Sequence, residues 1–193
     1  MKLTPARWSL IAAGAALALI AATRPWVVRP LDEQGRAATG PVSFDPETVV
    51  AKAWADELPK RAAAAMDAAQ AGPSATFLKG QGLVTKVETS SRVGLALVDL
   101  DPQDGAPDVA LQVGPVITGT ALRDALGLGF GDFETQIEFA NVGAALNKRA
   151  VGSVPLLANP GALQGRRVAF VGAGAAAAQG PVRVVPVRLE LLP

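Results

Sequence analysis

The chain has 193 residues, with 18 basic and 17 acidic side chains and a formal net charge of +1 at pH 7, so charge alone gives no preference for nucleic acid or for an anionic surface. Cysteine and histidine are absent, which excludes disulfides, thiolate chemistry and Ser-His-Asp catalysis, and disfavours zinc and other transition-metal sites. We predict that the protein is not an enzyme and has no catalytic residues, no cofactor and no metal site.

A charge-free run of 16 residues, Trp8–Thr23, follows the basic Arg7 close to the start of the sequence. Its first residue and Trp26 would lie about 27 Å apart on a helix, which is close to the thickness of a bilayer's hydrocarbon core. We interpret residues 1–28 as an uncleaved signal anchor; the alternatives are a cleaved signal peptide and a buried helix. The anchor predicts a single inner-membrane span with the bulk of the chain in the periplasm. Residues 29–43 are rich in proline, glycine and charge and are predicted to be a flexible linker.

One amphipathic helix is predicted after the linker. Asp45 is a suitable N-cap and Pro46 fits the first helical turn. Apolar residues from Val50 to Leu58 then recur every four positions and form one stripe. Pro59 is expected to kink or break the helix, and the alanine-rich residues 60–71 to resume it.

Strands and helices alternate in the rest of the chain. Short runs rich in β-branched residues predict five strands, at Thr76–Glu88, Val93–Leu100, Val109–Val113, Arg167–Val171 and Val182–Leu191. Between the third and fourth strands, Thr120–Leu126 is predicted to be a short helix. Phe133–Phe139 alternates apolar and polar residues, which favours a strand or an extended loop, and Asn141 is predicted to cap a second helix. Gly172–Gly180 is predicted to be a mobile loop of small residues.

Three strands, a helical insertion and two further strands are the order of an OB-type barrel. The long first strand contains Gly80 and Gly82, which suit the bend that closes a small barrel. We therefore predict that residues 44–193 form a single, mainly β domain with helical insertions, an OB-like small barrel preceded by the anchor helix and the amphipathic helix. The alternative is an α+β roll with a less closed sheet.

Three central segments resemble a bacterial family of predicted periplasmic lipoproteins that is classified as a domain of unknown function. They are VETSSRVGLALVDLD (Val87–Asp101), DVALQVGPVITGTALRDALG (Asp108–Gly127) and DFETQIEFANVGAALNKRAV (Asp132–Val151), and Phe44–Pro59 is similar to the family's entry segment. The resemblance implies an extracytoplasmic, membrane-attached protein, often encoded near sugar ABC transporters, without an established activity. This chain lacks the cysteine that a lipoprotein acylates, so we expect residues 1–28 to replace lipid attachment.

A polar group in the helical insertion and its surroundings is the candidate ligand site, in which arginine and carboxylate side chains could bind a hydroxylated ligand. Its members are Arg92, Thr120, Arg123, Asp124, Gln136, Glu138 and Asn147. The alternative is a structural network that holds the insertion on the barrel. Arg123 and Asp124 are adjacent and are expected to point to different faces of their helix rather than to pair.

Two acidic features suggest other chemistry. The turn from Asp99 to Asp108 resembles a calcium loop, but its spacing is broken by Gln103 and no glutamate closes it, so an ordinary turn is the other interpretation. Glu134 and Glu138 would lie on one face of a strand, roughly 13 Å apart, which exceeds the carboxylate separations of glycosidases.

These patterns favour a membrane-anchored periplasmic binding or accessory module. The family resemblance adds a possible association with a sugar ABC transporter, so the expected partners are the membrane and a transporter component or a small sugar ligand, but not nucleic acid. The alternatives are a carboxylate-dependent enzyme acting on envelope carbohydrate and a structural envelope protein.

Overall fold

The computed structural model describes residues 44–176 and 179–193. The predicted anchor at residues 1–28 and the predicted linker at 29–43 lie outside this part of the chain. Within the described residues, every helix is too short or too polar to cross a bilayer.

The first described helix begins where the sequence predicts. The Asp45 carboxylate caps it by accepting a hydrogen bond from the Glu47 N–H at 3.0 Å. Helix α1 (Pro46–Lys52) continues through a π-helical turn (Ala53–Glu57) into helix α2 (Leu58–Ala63). The wider turn ends two residues before Pro59, and the helix continues past this proline to Ala63, so Pro59 does not end it.

The predicted helical continuation over residues 60–71 is wrong beyond Ala63. A short strand, β1 (Met66–Asp67), replaces it and pairs in parallel with Leu78 and Lys79. Met66 and Asp67 therefore bond to a neighbouring strand, and Ala68–Gln70 forms a separate 3-10 helix, although the alanines of residues 60–71 favour an α-helix locally.

Five further strands form a closed barrel: β2 (Thr76–Glu88), β3 (Leu95–Leu100), β4 (Val109–Gln112), β5 (Arg167–Ala175) and β6 (Val182–Leu191). Antiparallel pairs join β2 to β3 and β3 to β4, a parallel pair joins β4 to β6, and antiparallel pairs join β6 to β5 and β5 to β2. The last pairing closes the sheet, so the predicted OB-like barrel is confirmed and the open α+β roll is not.

Two glycines allow the barrel strands to pack closely. A Cβ on Gly82 would lie 2.1 Å from the Asp99 carbonyl oxygen, and a Cβ on Gly172 would lie 2.3 Å from the Val185 carbonyl oxygen. Gly172–Ala175 continues β5, so the loop predicted from Gly172 begins later than expected. Glycine there serves a close approach of two backbones, not an irregular loop.

The helical insertion differs most from the sequence prediction. Helix α3 (Ala121–Ala125) matches the predicted short helix, but helix α4 (Gln136–Ser153) begins before the expected cap at Asn141. Thr135 is the N-cap: its hydroxyl accepts from the Glu138 N–H, and the Glu138 carboxylate accepts from the Thr135 N–H. The predicted strand or extended loop at Phe133–Phe139 is therefore wrong, because this reciprocal capping box starts a helix within it.

Two hydrophobic cores result. The inner core fills the barrel with side chains such as Leu78, Leu111 and Phe170. The outer core lies between the outer wall of the barrel and helices α1, α3 and α4, and it includes Val50 and Leu146. The helices therefore cover one part of the outer wall of the barrel.

Candidate functional site

The predicted polar group contains a tightly bonded centre on α3. The Arg123 Nε and Nη2 atoms donate to the Asp124 Oδ1 at 3.0 and 2.8 Å, and the Thr120 hydroxyl donates to the Asp124 Oδ2 at 2.7 Å. The expectation that Arg123 and Asp124 do not pair is wrong, since the long arginine side chain folds back onto its neighbour. Both oxygens of the Asp124 carboxylate are thus occupied within the chain.

The guanidinium of Arg123 is also covered by α4. Its central carbon lies 3.5 Å from the centroid of the Phe139 ring, and only 11% of the arginine side chain is exposed. A cation so close to an aromatic face gains a cation–π attraction. The Arg123 side chain therefore connects α3 to α4, as the structural alternative for this group requires.

The other predicted members have separate surroundings. Asn147 donates through Nδ2 to the Gly119 carbonyl oxygen at 3.0 Å, and Glu138 caps α4. Gln136 is exposed at the first position of α4, and Arg92 is exposed in the loop between β2 and β3. The structure therefore brings three members into one bonded network, and ligand binding by the whole group stays a prediction.

The acidic turn folds around a buried carboxylate. Asp99 is 3% exposed and accepts from the Asp104 N–H at 3.2 Å and the Gly105 N–H at 2.9 Å, while Asp108 accepts from the Leu100 N–H at 2.9 Å. These bonds are typical of carboxylates that shape turns. Nowhere in residues 44–176 and 179–193 do three acidic side chains converge as metal ligands would.

The strand predicted to carry Glu134 and Glu138 is wrong, so the separation worked out for a strand does not apply to this pair. Glu138 lies in α4, and its Oε2 atom accepts from the Glu134 N–H at 3.0 Å. One carboxylate of the pair is thus engaged by the backbone at a helix N-terminus.

The barrel wall contains a different candidate site, which sequence reasoning missed. A cavity of about 410 Å³, hereafter the wall cavity, opens beside β2 and falls in the size range of small-molecule pockets. Its lining comprises Asp67, Lys79, Gly80, Gln81, Leu100, Asp101, Ala169, Phe170 and Val171. Leu100 and Phe170 belong to the inner core, so the cavity combines apolar surface with charged and amide groups.

Strand register explains why these polar residues meet. Asp67 of β1 and Val171 of β5 flank Lys79 on either side, and Ala169 is the partner of Gln81. Lys79 and Gln81 are two positions apart on β2, so they point to the same face. Because Ala169 has a small side chain, it leaves open space on the face of β2 to which Gln81 points.

Lys79 and Gln81 also differ in their bonding from Arg123 and Asp124 of the predicted group, whose side chains bond to each other. Both residues are exposed, and no ion pair within the described part of the chain involves Lys79. Asp101, by contrast, accepts a hydrogen bond from Arg167. The cavity therefore presents donors and acceptors that a ligand could engage.

Two other cavities, of 520 and 260 Å³, lie beside α4 and share Pro115 and Val151. Their linings are apolar except for Asn147 and Lys148. A polar ligand would find few partners there.

Residues 65–190 match the model of a family described as "Predicted periplasmic lipoprotein (DUF2291)". The chain belongs to this family. The resemblance predicted from Val87–Asp101 and the segments that follow is thus confirmed, and the family's description indicates a location in the cell envelope.

A solved structure supports the fold. The chain is similar to the crystal structure of an OB-fold protein from Thermotoga maritima, with 17% identity and a TM-score of 0.54 over 78% of this chain and 100% of that chain. A weaker likeness, with 16% identity and a TM-score of 0.36 over 66% of this chain and 90% of the other, is to an OBody bound to hen egg-white lysozyme. No curated protein matches the chain significantly.

Proposed function

We propose that this chain is a periplasmic binding module without catalytic activity, held at the inner membrane by residues 1–28, whose wall cavity binds a small hydroxylated ligand such as a sugar. The observation that supports it is the pairing of exposed Lys79 and Gln81 with apolar surface in one cavity. Sugars present hydroxyl groups at their edges and C–H groups on their faces, so a site with both kinds of surface suits them.

Association with a sugar ABC transporter is part of this proposal. A binding module tethered near a membrane transporter would raise the local concentration of their shared ligand. The test is co-purification of the full chain, in mild detergent, with a transporter from its own membrane. The variant Lys79→Met separates assembly from ligand binding: if it still retains the transporter, assembly does not depend on the bound ligand.

The ligand proposal is tested by calorimetric titration of the full chain in detergent micelles with mono- and oligosaccharides. A bound ligand also raises the melting temperature, since at about 100 times its Kd it stabilises the folded state by about 2.7 kcal/mol. The double variant Lys79→Met with Gln81→Leu should lose this binding. Lys86→Met is the matched control, because Lys86 lies on the same strand and pairs with Glu88 outside the cavity.

Two outcomes would contradict the ligand proposal. One is an absence of heat and of melting-temperature change across the whole sugar panel. The other is unchanged binding in the Lys79 and Gln81 double variant. The enzyme alternative would be favoured if the protein released new reducing ends from envelope polysaccharide and the variant Asp67→Asn did not. Asp67 and Asp101 line the same cavity and are the carboxylates that such an enzyme would use.

A further inference from the structure

The second half of β6 has a strand on one side only. β5 pairs with β6 as far as Leu191, whereas β4 pairs with it only as far as Val184. The Leu192 N–H donates to the Arg167 carbonyl oxygen at 2.8 Å, so even-numbered residues here turn their backbone groups toward β5. Leu189 and Leu191 therefore turn theirs away from β5, and among the described residues no other backbone group bonds to them. We call this outward side of Leu189 and Leu191 the open edge, and such an edge is a template for another strand.

The side chains along the open edge carry one positive and one negative charge. Arg188 and Glu190 are exposed, and they share one face of β6 because they are two positions apart. Their partners on β5 are the uncharged Val171 and Ala169. In the portion of the chain that the structure covers, neither Arg188 nor Glu190 forms an ion pair. Leu191 is 37% exposed, so the edge also presents apolar surface.

The order of these residues makes the open edge complementary to itself. Two copies of a strand edge can pair antiparallel about a two-fold axis. When Leu189 lies opposite Leu189 of the second copy, Arg188 of each copy lies opposite Glu190 of the other. Leu189 then forms a hydrogen-bonded pair, and the charged residues form non-hydrogen-bonded pairs with Cα atoms about 4.5 Å apart, where side chains are closest. Two ion pairs therefore form in this register.

Other registers of the same pairing are less favourable. Centring on Arg188 or on Glu190 places like charges opposite each other, which is destabilising. Centring on Leu191 places Leu189 opposite Pro193, whose nitrogen has no proton to donate. A centre nearer the start of β6 meets the segment that β4 already pairs. Charge and backbone pattern thus both select the register centred on Leu189.

We propose that the protein forms a two-fold symmetric dimer through the open edge of β6, with Leu189 at the axis. The partner is a second copy of this chain, because one edge supplies both charges of the ion pairs. Backbone hydrogen bonds hold the two strands together, as in other cases of strand addition, and the ion pairs fix their register. The dimer requires neither the proposed ligand nor the proposed anchoring.

Disulfide cross-linking of the full chain in detergent tests the register, because the chain has no cysteine of its own. Arg188→Cys and Glu190→Cys are prepared as separate variants, mixed and oxidised. Opposite positions fall within the Cα separation of about 4.4–6.8 Å that a disulfide spans, whereas diagonal neighbours lie about 7–8 Å apart. The mixture should therefore give covalent dimers, and either variant alone should give few. Arg183→Cys mixed with Glu190→Cys is the control, since Arg183 lies where β4 pairs with β6.

Charge reversal tests the ion pairs, with the dimer dissociation constant measured by sedimentation of the full chain in detergent over a dilution series. Arg188→Glu should raise this constant by about ten-fold or more, because both ion pairs become repulsive. Addition of Glu190→Arg should restore the constant, because the pairs form again with their signs exchanged. Arg183→Glu should leave it unchanged, since Arg183 is exposed but lies outside the open edge. The melting temperature of each variant verifies folding.

Three outcomes would overturn the proposal. A chain that stays monomeric throughout the dilution series would leave the open edge to a strand of a different protein. Covalent dimers formed by Arg188→Cys alone would show a different register. A dissociation constant that stays high in the double charge-reversal variant, while its melting temperature is unchanged, would show that these charges do not pair.

Discussion

Replacement of Thr135 by alanine tests the start of helix α4. The Thr135 hydroxyl accepts from the Glu138 N–H at 3.2 Å, and an N-cap replaced by alanine typically costs about 1 kcal/mol. For a domain of this size, 1 kcal/mol lowers the melting temperature by about 2–4 °C. Thermal unfolding of the full chain in detergent, followed by circular dichroism, measures the shift.

Two control variants make this test decisive. Gln136→Ala changes the next exposed residue, which has no part in the cap, and should alter stability by less than about 0.5 kcal/mol. Asn141→Ala should be neutral or slightly stabilising, because Asn141 lies inside the helix, where alanine is the better former.

The opposite ranking would refute the reasoning. If Asn141→Ala destabilises the protein by about 1 kcal/mol and Thr135→Ala does not, α4 begins at Asn141, as the alternating pattern predicts. A double-mutant cycle between Thr135 and Glu138 provides a second check, because the two halves of a capping box should not be additive.

Three further predictions concern single residues. Gly82→Ala should lower the free energy of unfolding in urea by about 3 kcal/mol or more, since a Cβ would lie 2.1 Å from the Asp99 carbonyl oxygen. A near-neutral result would contradict the close packing of β2 against β3. Gly143→Ala should stabilise α4 by up to about 1 kcal/mol in the same assay, because alanine favours a helix more than glycine does and the new Cβ would lie at an ordinary contact distance of 3.8 Å from Arg123 atoms. A loss of stability would show that the space between Gly143 and Arg123 is smaller than this distance indicates. Hydrogen bonds from Thr48 and from the backbone lower the pKa of Asp45 below its ordinary 3.8. The contribution of Asp45 to stability is therefore complete above that value and is lost as pH falls through the folded-state pKa. Asp45→Ala should destabilise the protein at pH 7 and matter progressively less as the pH falls below 3.8, and an effect that does not change with pH would refute this.

Polar side chains of the candidate ligand group could be identified from the sequence, but their partners could not. Arg123 and Asp124 are neighbours in the chain, and only the folded structure shows that they bond to each other and that Phe139 covers the guanidinium. The wall cavity was missed for a related reason. Lys79 and Gln81 are ordinary outward-facing strand residues, and their meeting with Asp67 and Ala169 depends on pairing between distant segments.

The sequence by itself determined the order of the five barrel strands and the first helix cap. Enrichment in β-branched and other apolar residues along Thr76–Glu88 and Val182–Leu191 is a local signal, and Asp45 followed by proline is another, so both could be recognised without tertiary contacts. Phe133–Phe139 carries two local signals, the apolar alternation and the Thr135–Glu138 capping box, and the sequence prediction used only the alternation. Only the tertiary structure decided closure of the barrel through β2 and β5 and the position of the wall cavity, because both arise from residues far apart in the chain whose contacts no local pattern encodes.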